Sequence, residues 1–405
     1  MRIALAADGT RGDVHPLLEL GARLRGAGHE VLLLGPPDSE DEAAARGVPF
    51  RAVGLAMRPQ IAKHAGVVGA GGVRTMLEAL ELLRTNLEAQ FEALPSAVRG
   101  CDLVIGASLS LAARSAAELH GIPYRFVAYC PILLPSSEHP AFVVRSQTLP
   151  AWLNRLGWWL LMPPVDLFAS RLVNRGRRRL GLRPVGSAYR HFLTDRPIVA
   201  ADRALAPLPR DIDVAATQIP CLHGMQPAPL PAKLESFLEQ GPPPVYLGFG
   251  SMPDPDPQAT TRTLLDAVAR VGCRAVISRG WAELGGVPLP DGVIDVGSVS
   301  HAALFPRVAA VVHHGGAGTT TTAARAGVPQ IVVPHLADQY YWAARVERLG
   351  LAPPAILRRR LTAERLAGAL DLVLENEILA ERARELGARL RAEAAAIDPV
   401  AAVLA

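Results

Sequence analysis

Ala310-Val311-Val312-His313-His314-Gly315-Gly316-Ala317-Gly318-Thr319-Thr320-Thr321-Thr322 is the stretch whose reading decides the fold. Residues 310–313 form a short apolar run, the pattern of a buried strand, and feed a glycine-rich loop that opens a helix. In open α/β sheets ligands collect beyond the carboxyl ends of the strands. Backbone N–H groups at a helix start, reinforced by the macrodipole, hold phosphate there. The Lys-Ser/Thr ending of a Walker A loop is missing. A core histidine with a tight helix–strand contact is the bland reading. Two histidines beside three glycines are a poor choice for packing alone.

The same alternation extends outward from this stretch. Strands are expected at 245–249, 275–278, 293–296 and 330–333, with a helix over 258–271. An earlier unit has strands at 2–7, 31–34, 103–105 and 124–128. Between them Leu17, Leu20, Leu24 and Ala27 recur at helical spacing, as do Leu77, Leu80, Leu83, Leu87, Phe91 and Leu94. Strands alternating with helices imply parallel sheets covered on both faces. The fold class is therefore α/β, with two doubly wound Rossmann-like domains in series. Residues 207–244 hold nine of the 35 prolines. This divides the chain into 1–205, a linker over 206–243 and 244–405.

Composition agrees with an ordinary globular enzyme. The 405 residues are 50% hydrophobic and 20% charged, with a formal net charge of +4. That excess is too small to argue for nucleic acid, and no RNP, zinc-finger or helix-turn-helix pattern supports such a partner. Cys101, Cys130, Cys221 and Cys273 are scattered without a C-x-x-C pair, so neither a disulfide framework nor a structural zinc site is expected. The opening MRIALAADG has no h-region and no stretch approaches ~20 uncharged apolar residues. A cytoplasmic, reduced protein is the expectation.

Three more loops follow strands. Asp8-Gly9-Thr10-Arg11-Gly12-Asp13-Val14-His15-Pro16 fails the G-x-G-x-x-G fingerprint and offers instead a carboxylate, Asp13, and an imidazole, His15. Asp13 reads either as a helix cap, with Pro16 in the first turn, or as a general base made more basic by desolvation. Gly248-Phe249-Gly250-Ser251-Met252 places a hydroxyl in a glycine turn, a weak phosphate signal. Pro334-His335-Leu336-Ala337-Asp338-Gln339 sets a carboxylate beside an amide, which suits vicinal sugar hydroxyls, or a cap at Asp338.

Residues 140–192 depart from the pattern. Three of the five tryptophans, Trp152, Trp158 and Trp159, fall within eight residues, followed by Arg171, Arg175, Arg177, Arg178 and Arg179. The segment reads as a helical insertion packed on its own domain, as an apolar acceptor lip, or as an amphipathic element touching a membrane.

Taken together these loops resemble the inverting nucleotide-sugar glycosyltransferases of the GT-B fold. The nearest are the bacterial natural-product enzymes acting on glycopeptide and macrolide aglycones, with the sterol glucosyltransferases close by. SRGWAEL (278–284), HHGGAGTT (313–320), RAGVPQIVVP (325–334) and ADQYYWAARVERLG (337–350) carry the resemblance, and GTRGDVHP (9–16) matches the family's opening. The resemblance implies an N-terminal acceptor domain and a C-terminal donor domain facing across a cleft, with the last helices returning toward the first domain. It places Asp13 at the acceptor-activating base. It assigns His314, Gly316, Gly318, Thr319, Ser251 and Arg11 to the donor diphosphate, Asp338 and Gln339 to the donor sugar, and the backbone at Val299 to the base edge. His15, Trp158 and Trp159 are expected to meet the acceptor.

The implied reaction needs no cofactor and no metal. A UDP- or dTDP-sugar is the co-substrate, and the partner is an apolar aglycone or lipid, with a peripheral membrane contact as a further expectation. Thr10 replaces the commoner serine, and the insertion at 140–192 is closer to the sterol type. The alternatives are a sterol or lipid glycosyltransferase and a hydrolysing nucleotide-sugar epimerase of the same fold.

Overall fold

The computed structural model describes residues 1–63, 73–223 and 227–405. Its first sheet has seven strands: β1 (Arg2–Asp8), β2 (Glu30–Gly35), β3 (Phe50–Ala52), β4 (Leu103–Ser108), β5 (Tyr124–Ala128), β6 (Ile198–Ala200) and β7 (Thr217–Ile219). They lie in the order β3-β2-β1-β4-β5-β6-β7. The second sheet has five: β8 (Val245–Gly248), β9 (Ala275–Ser278), β10 (Val293–Val296), β11 (Ala310–His313) and β12 (Gln330–Val332), in the order β10-β9-β8-β11-β12. Every neighbouring pair is parallel.

Burial on both faces explains the apolar runs. In β1, Ile3, Leu5 and Ala7 join the core under the helix Arg11–Gly26, while Ala4 and Ala6 point to the opposite core under the helix Val73–Ala97. The short strands β3, β6 and β7 were not read from the sequence, because three residues are too few to display a period.

In each sheet the winding reverses beside the first strand. β1 lies between β2 and β4, and β8 lies between β9 and β11. The loops there diverge and leave a crevice at the carboxyl ends, which fixes where ligands can enter.

The expected linker at 206–243 needs correction. β7 falls inside it and pairs with β6, so the first domain continues to Ile219. The helix Ala232–Glu239 also falls inside it, and its Leu234 and Leu238 pack with Tyr246 and Val276 of the second domain. Prolines here mark turns between short ordered elements rather than an open tether. Residues 224–226 of this stretch lie outside the described residues.

The domains share an apolar contact. Phe126, Cys130, Leu134 and Val199 of the first pack with Trp342, Val346, Leu386 and Leu390 of the second. The C-terminal helix Pro399–Leu404 returns to the first domain, where Val403 enters the core of β1 and β2. A buried ion pair adds to the join: Arg325 grips both oxygens of Asp202, at 2.8 and 2.6 Å.

Candidate active site

The crevice beside β1 is lined by carboxylates. Thr10 caps the helix Arg11–Gly26, and Asp13 is its third residue. The Asp13 Oδ2 accepts the Thr10 N–H at 2.7 Å and the Thr10 hydroxyl at 3.1 Å. Asp13 is thus a cap, and capping leaves lone pairs of the carboxylate available. Gly9 makes the arrangement feasible: at its φ of +130° a Cβ would stand 2.3 Å from Asp13 Oδ2. Burial raises the Asp13 pKa above the ordinary value, against hydrogen bonds from Ser108 and Thr10 that lower it.

Asp8, at the end of β1, was not selected from the sequence. It is 3% exposed, and Asn86 and Gln90 both donate to its Oδ2, the latter at 2.8 Å. Its Oδ1 has no side-chain partner among the described residues. Burial, opposed by the two amides and aided by the charge of Asp13, pushes its pKa up to about 6. The signal available was a charge closing an otherwise apolar strand at the ligand end of the sheet.

His15 and Arg11 are not placed as expected. Two residues beyond Asp13, the helix has turned by about 200°, so His15 points away from Asp13. Its Nε2 meets the Glu42 carboxylate, and its ring stacks on His223 at 5.6 Å between centroids. Arg11 was expected on the diphosphate. Its guanidinium is instead engaged by Glu42 at 2.6 Å and, across the domain boundary, by the Ser298 hydroxyl at 2.9 Å. That contact brings the first domain to the loop holding Val299, which is half-buried against the core of β10.

The crevice beside β11 offers donors. His313 is fully buried, with Nδ1 accepting the Gly315 N–H at 3.0 Å and Nε2 facing Gln330 Oε1 at 2.9 Å. It is a structural residue that shapes the loop. His314 points the other way, its ring lying between Gly250 and Gly316, where added Cβ atoms would stand 2.9 Å from Cε1 and 2.5 Å from Nε2. Its buried Nδ1 has no partner among the described residues. Burial, then the neighbouring histidines, lowers its pKa well below the usual value, so the ring is neutral at pH 7.

Gly316 caps the helix Ala317–Ala326, and among the described residues no side chain caps it. The first N–H groups of a helix have no partner within it, so those of Ala317, Gly318 and Thr319 form a donor cluster beside His314. Ser251 is 9% exposed in the adjoining turn. His223, also missed from the sequence, packs against this loop: a Cβ on Gly318 would stand 2.6 Å from its ring. Nothing in its proline-rich surroundings singles it out.

Asp338 and Gln339 separate. Asp338 Oδ2 accepts the Trp342 indole N–H at 3.0 Å, and burial, with a contribution from the charge of Asp13, pushes its pKa up to about 6. The charge of Asp13 therefore reaches Asp338 from the opposite domain. Gln339 was expected on the sugar, but its side chain is 3% exposed and turned into the loop. Its Oε1 accepts the N–H groups of His335 and Leu336 at 2.8 and 3.0 Å, and its Nε2 faces Met252 Sδ at 3.1 Å.

The tryptophans also separate. Both lie on the helix Ala151–Arg179, where consecutive residues point about 100° apart. Trp158 is 8% exposed, packs with Ala141 and Met162, and donates to the His139 carbonyl at 3.3 Å. It belongs to a small satellite core and not to an acceptor lip. Trp159 is 72% exposed on the outer face.

Two parallel α/β domains meet with Asp8 and Asp13 on the first and Asp338 and the helix-start donors on the second. That combination sets groups able to take a proton beside groups able to hold an anion. Comparison with known proteins specifies the class. Residues 3–132 match the glycosyltransferase family 28 N-terminal domain, and residues 262–404 match the erythromycin biosynthesis protein CIII-like C-terminal domain. The chain is 39% identical over 360 residues to vancomycin aglycone glucosyltransferase of Amycolatopsis orientalis, covering 87% of this chain and 85% of that protein. It is 37% identical over 390 residues to dTDP-epi-vancosaminyltransferase of the same organism, covering 94% and 91%. Among solved structures, glycosyltransferase VinC in complex with dTDP superposes with a TM-score of 0.70 at 23% identity, over 100% of this chain and 99% of that one. The chain belongs to the GT-B glycosyltransferases of the natural-product type, and it is an enzyme of that class.

Proposed function

We propose that the enzyme moves a sugar from a dTDP- or UDP-sugar to a hydroxyl of an apolar aglycone, with inversion and without a metal, and that Asp13 is the general base. The observation supporting this reading is the pairing across one cleft of a desolvated Asp13 with Asp338 and the uncapped helix start beside His314. Thr10 orients one oxygen of Asp13 while the remaining lone pairs accept the proton of the attacking hydroxyl. As the bond to the anomeric carbon forms, the diphosphate leaves with its bonding electrons. The N–H groups at residues 317–319 and a neutral His314 donate to the developing charge. Asp338 faces the sugar and accepts from its hydroxyls.

Holding donor and acceptor together supplies much of the acceleration. The similarity to a dTDP-sugar transferase and an aglycone glucosyltransferase supports the donor and acceptor classes. The test is turnover of dTDP- and UDP-sugars with and without glycopeptide, macrolide and sterol acceptors, in excess EDTA. Acceptor-dependent transfer that persists in EDTA is expected. Donor turnover without any acceptor favours the epimerase reading, a sterol preference favours the lipid reading, and loss of transfer restored by Mg²⁺ contradicts the metal-free scheme.

A further inference from the structure

The reaction leaves the outer face of the helix Ala151–Arg179 unexplained. Among the described residues, thirteen large hydrophobic side chains are exposed, and seven of them lie between positions 152 and 167 of this helix. That concentration distinguishes the patch from the singly scattered apolar residues of an ordinary surface. Trp152, Leu156 and Trp159 or Leu160 follow one another at intervals of three or four, and Leu167 follows Leu160 by seven, so the five share one side. Trp159 is 72% and Trp152 65% exposed. Sixteen helical residues make this stripe about 24 Å long.

The same side continues into charge. Arg171 follows Leu167 by four residues, and Arg178 follows Arg171 by seven, two turns on. Arg171, Arg178 and the adjacent Arg179 have no acidic partner among the described residues. The helix has one acid, Asp166, which is turned inward and accepts the Tyr189 N–H at 2.8 Å. The helix is therefore apolar along one half, cationic along the other and carries no exposed carboxylate of its own, with Glu88 of the neighbouring helix 3.8 Å from Arg175 at its edge. No helix among the described residues is long and apolar enough to cross a membrane, which leaves a helix lying on a surface.

We propose that this face docks the protein onto the surface of a lipid bilayer carrying anionic headgroups. The tryptophans and leucines enter the boundary between headgroups and acyl chains, and Arg171 and Arg178 meet the phosphates. A second copy of the chain fits less well. A symmetric contact brings the same face against itself, where Glu88 is already engaged by Arg84 and Arg175 and the remaining arginines meet arginines.

The test is sedimentation of the full chain with phosphatidylcholine vesicles, with and without phosphatidylglycerol. Binding to the anionic vesicles that weakens as salt rises is expected. Leu160→Ser with Leu167→Ser should lower the partition coefficient more than about tenfold. Arg171→Glu with Arg178→Glu should lower it at least about fivefold per arginine on anionic vesicles only. Melting temperatures report whether the variants fold. Quenching of tryptophan emission by nitroxide-labelled lipid tests the contact in the unsubstituted chain, through Trp152 and Trp159. Protein that stays in the supernatant with anionic vesicles at low salt, absence of quenching, or variants that bind like the parent would overturn the proposal. A dimer in sedimentation velocity that the leucine substitutions abolish would also overturn it, by assigning the face to a second copy.

Discussion

The crevices beside β1 and β11 are built from the same unit, a parallel strand, a tight loop and a helix start, yet their electrostatics are opposed. Beside β1 the helix start is filled from within: Thr10 and Asp13 satisfy each other, and Asp8 lies buried behind them. Two carboxyl groups crowd a dry space, and both become more basic. Beside β11 no side chain caps the helix, and the glycines keep its N–H groups accessible next to an uncharged imidazole. One unit suits taking a proton and the other receiving an anion. The fold supplies the place, and three or four side chains decide which half of the reaction each place can perform.

That contrast breaks most visibly at Asp13. Asp13→Asn keeps the cap and removes the base, so kcat should fall by about 10²–10⁴, while calorimetry finds nucleoside diphosphate binding unchanged. The join between the two crevices is tested next. Arg325→Leu leaves Asp202 buried and unpaired, and chemical denaturation should report a loss of about 3–5 kcal/mol. At the second crevice, His314→Ala should weaken nucleoside diphosphate binding by about 1.5–3 kcal/mol, the worth of a hydrogen bond to a charged group, without the collapse in intrinsic transfer that Asp13→Asn produces at saturating donor.

The smallest expected effect sharpens the first crevice alone. Asp8 has a folded pKa of about 6, above its unfolded value of 3.8. Between those values the native protein holds the extra proton, so stability is lost as pH rises from about 4 through 6. Asp8→Asn removes that loss. The variant should be more stable than the parent by about 1–3 kcal/mol at pH 8, with the gain vanishing near pH 4, as followed by denaturation at each pH.

The second crevice was more legible than the first. Strand-loop-glycine-helix is a local pattern, and the stretch 310–322 displays all of it, so its strand, its loop and the start of its helix could be read directly. Asp13 was legible as either cap or base, and the structure shows that the first does not exclude the second. Partners distant in sequence were not readable. Asp8 depends on Asn86 and Gln90, and His15 on Glu42 and His223, through contacts that no periodicity announces. The inward turn of Gln339 was not readable either: its Oε1 closes its own loop through His335 and Leu336, and its Nε2 meets Met252 of another loop. Trp158 and Trp159 were treated as one feature, although adjacent residues of a helix face different surroundings. Within the expected linker, β7 escaped because it has only three residues and draws its stability from β6.

The account turns on Asp13 taking the acceptor's proton. Single-turnover transfer should be measured for the parent and for Asp13→Asn with a series of acceptors whose hydroxyl groups range from aliphatic alcohols to acidic phenols. An acceptor already ionised at the working pH needs no base. The deficit in Asp13→Asn should therefore shrink from about 10²–10⁴ for the alcohols toward unity for the most acidic phenols. A deficit of the same size across the whole series would contradict the assignment and reduce Asp13 to the cap of its helix.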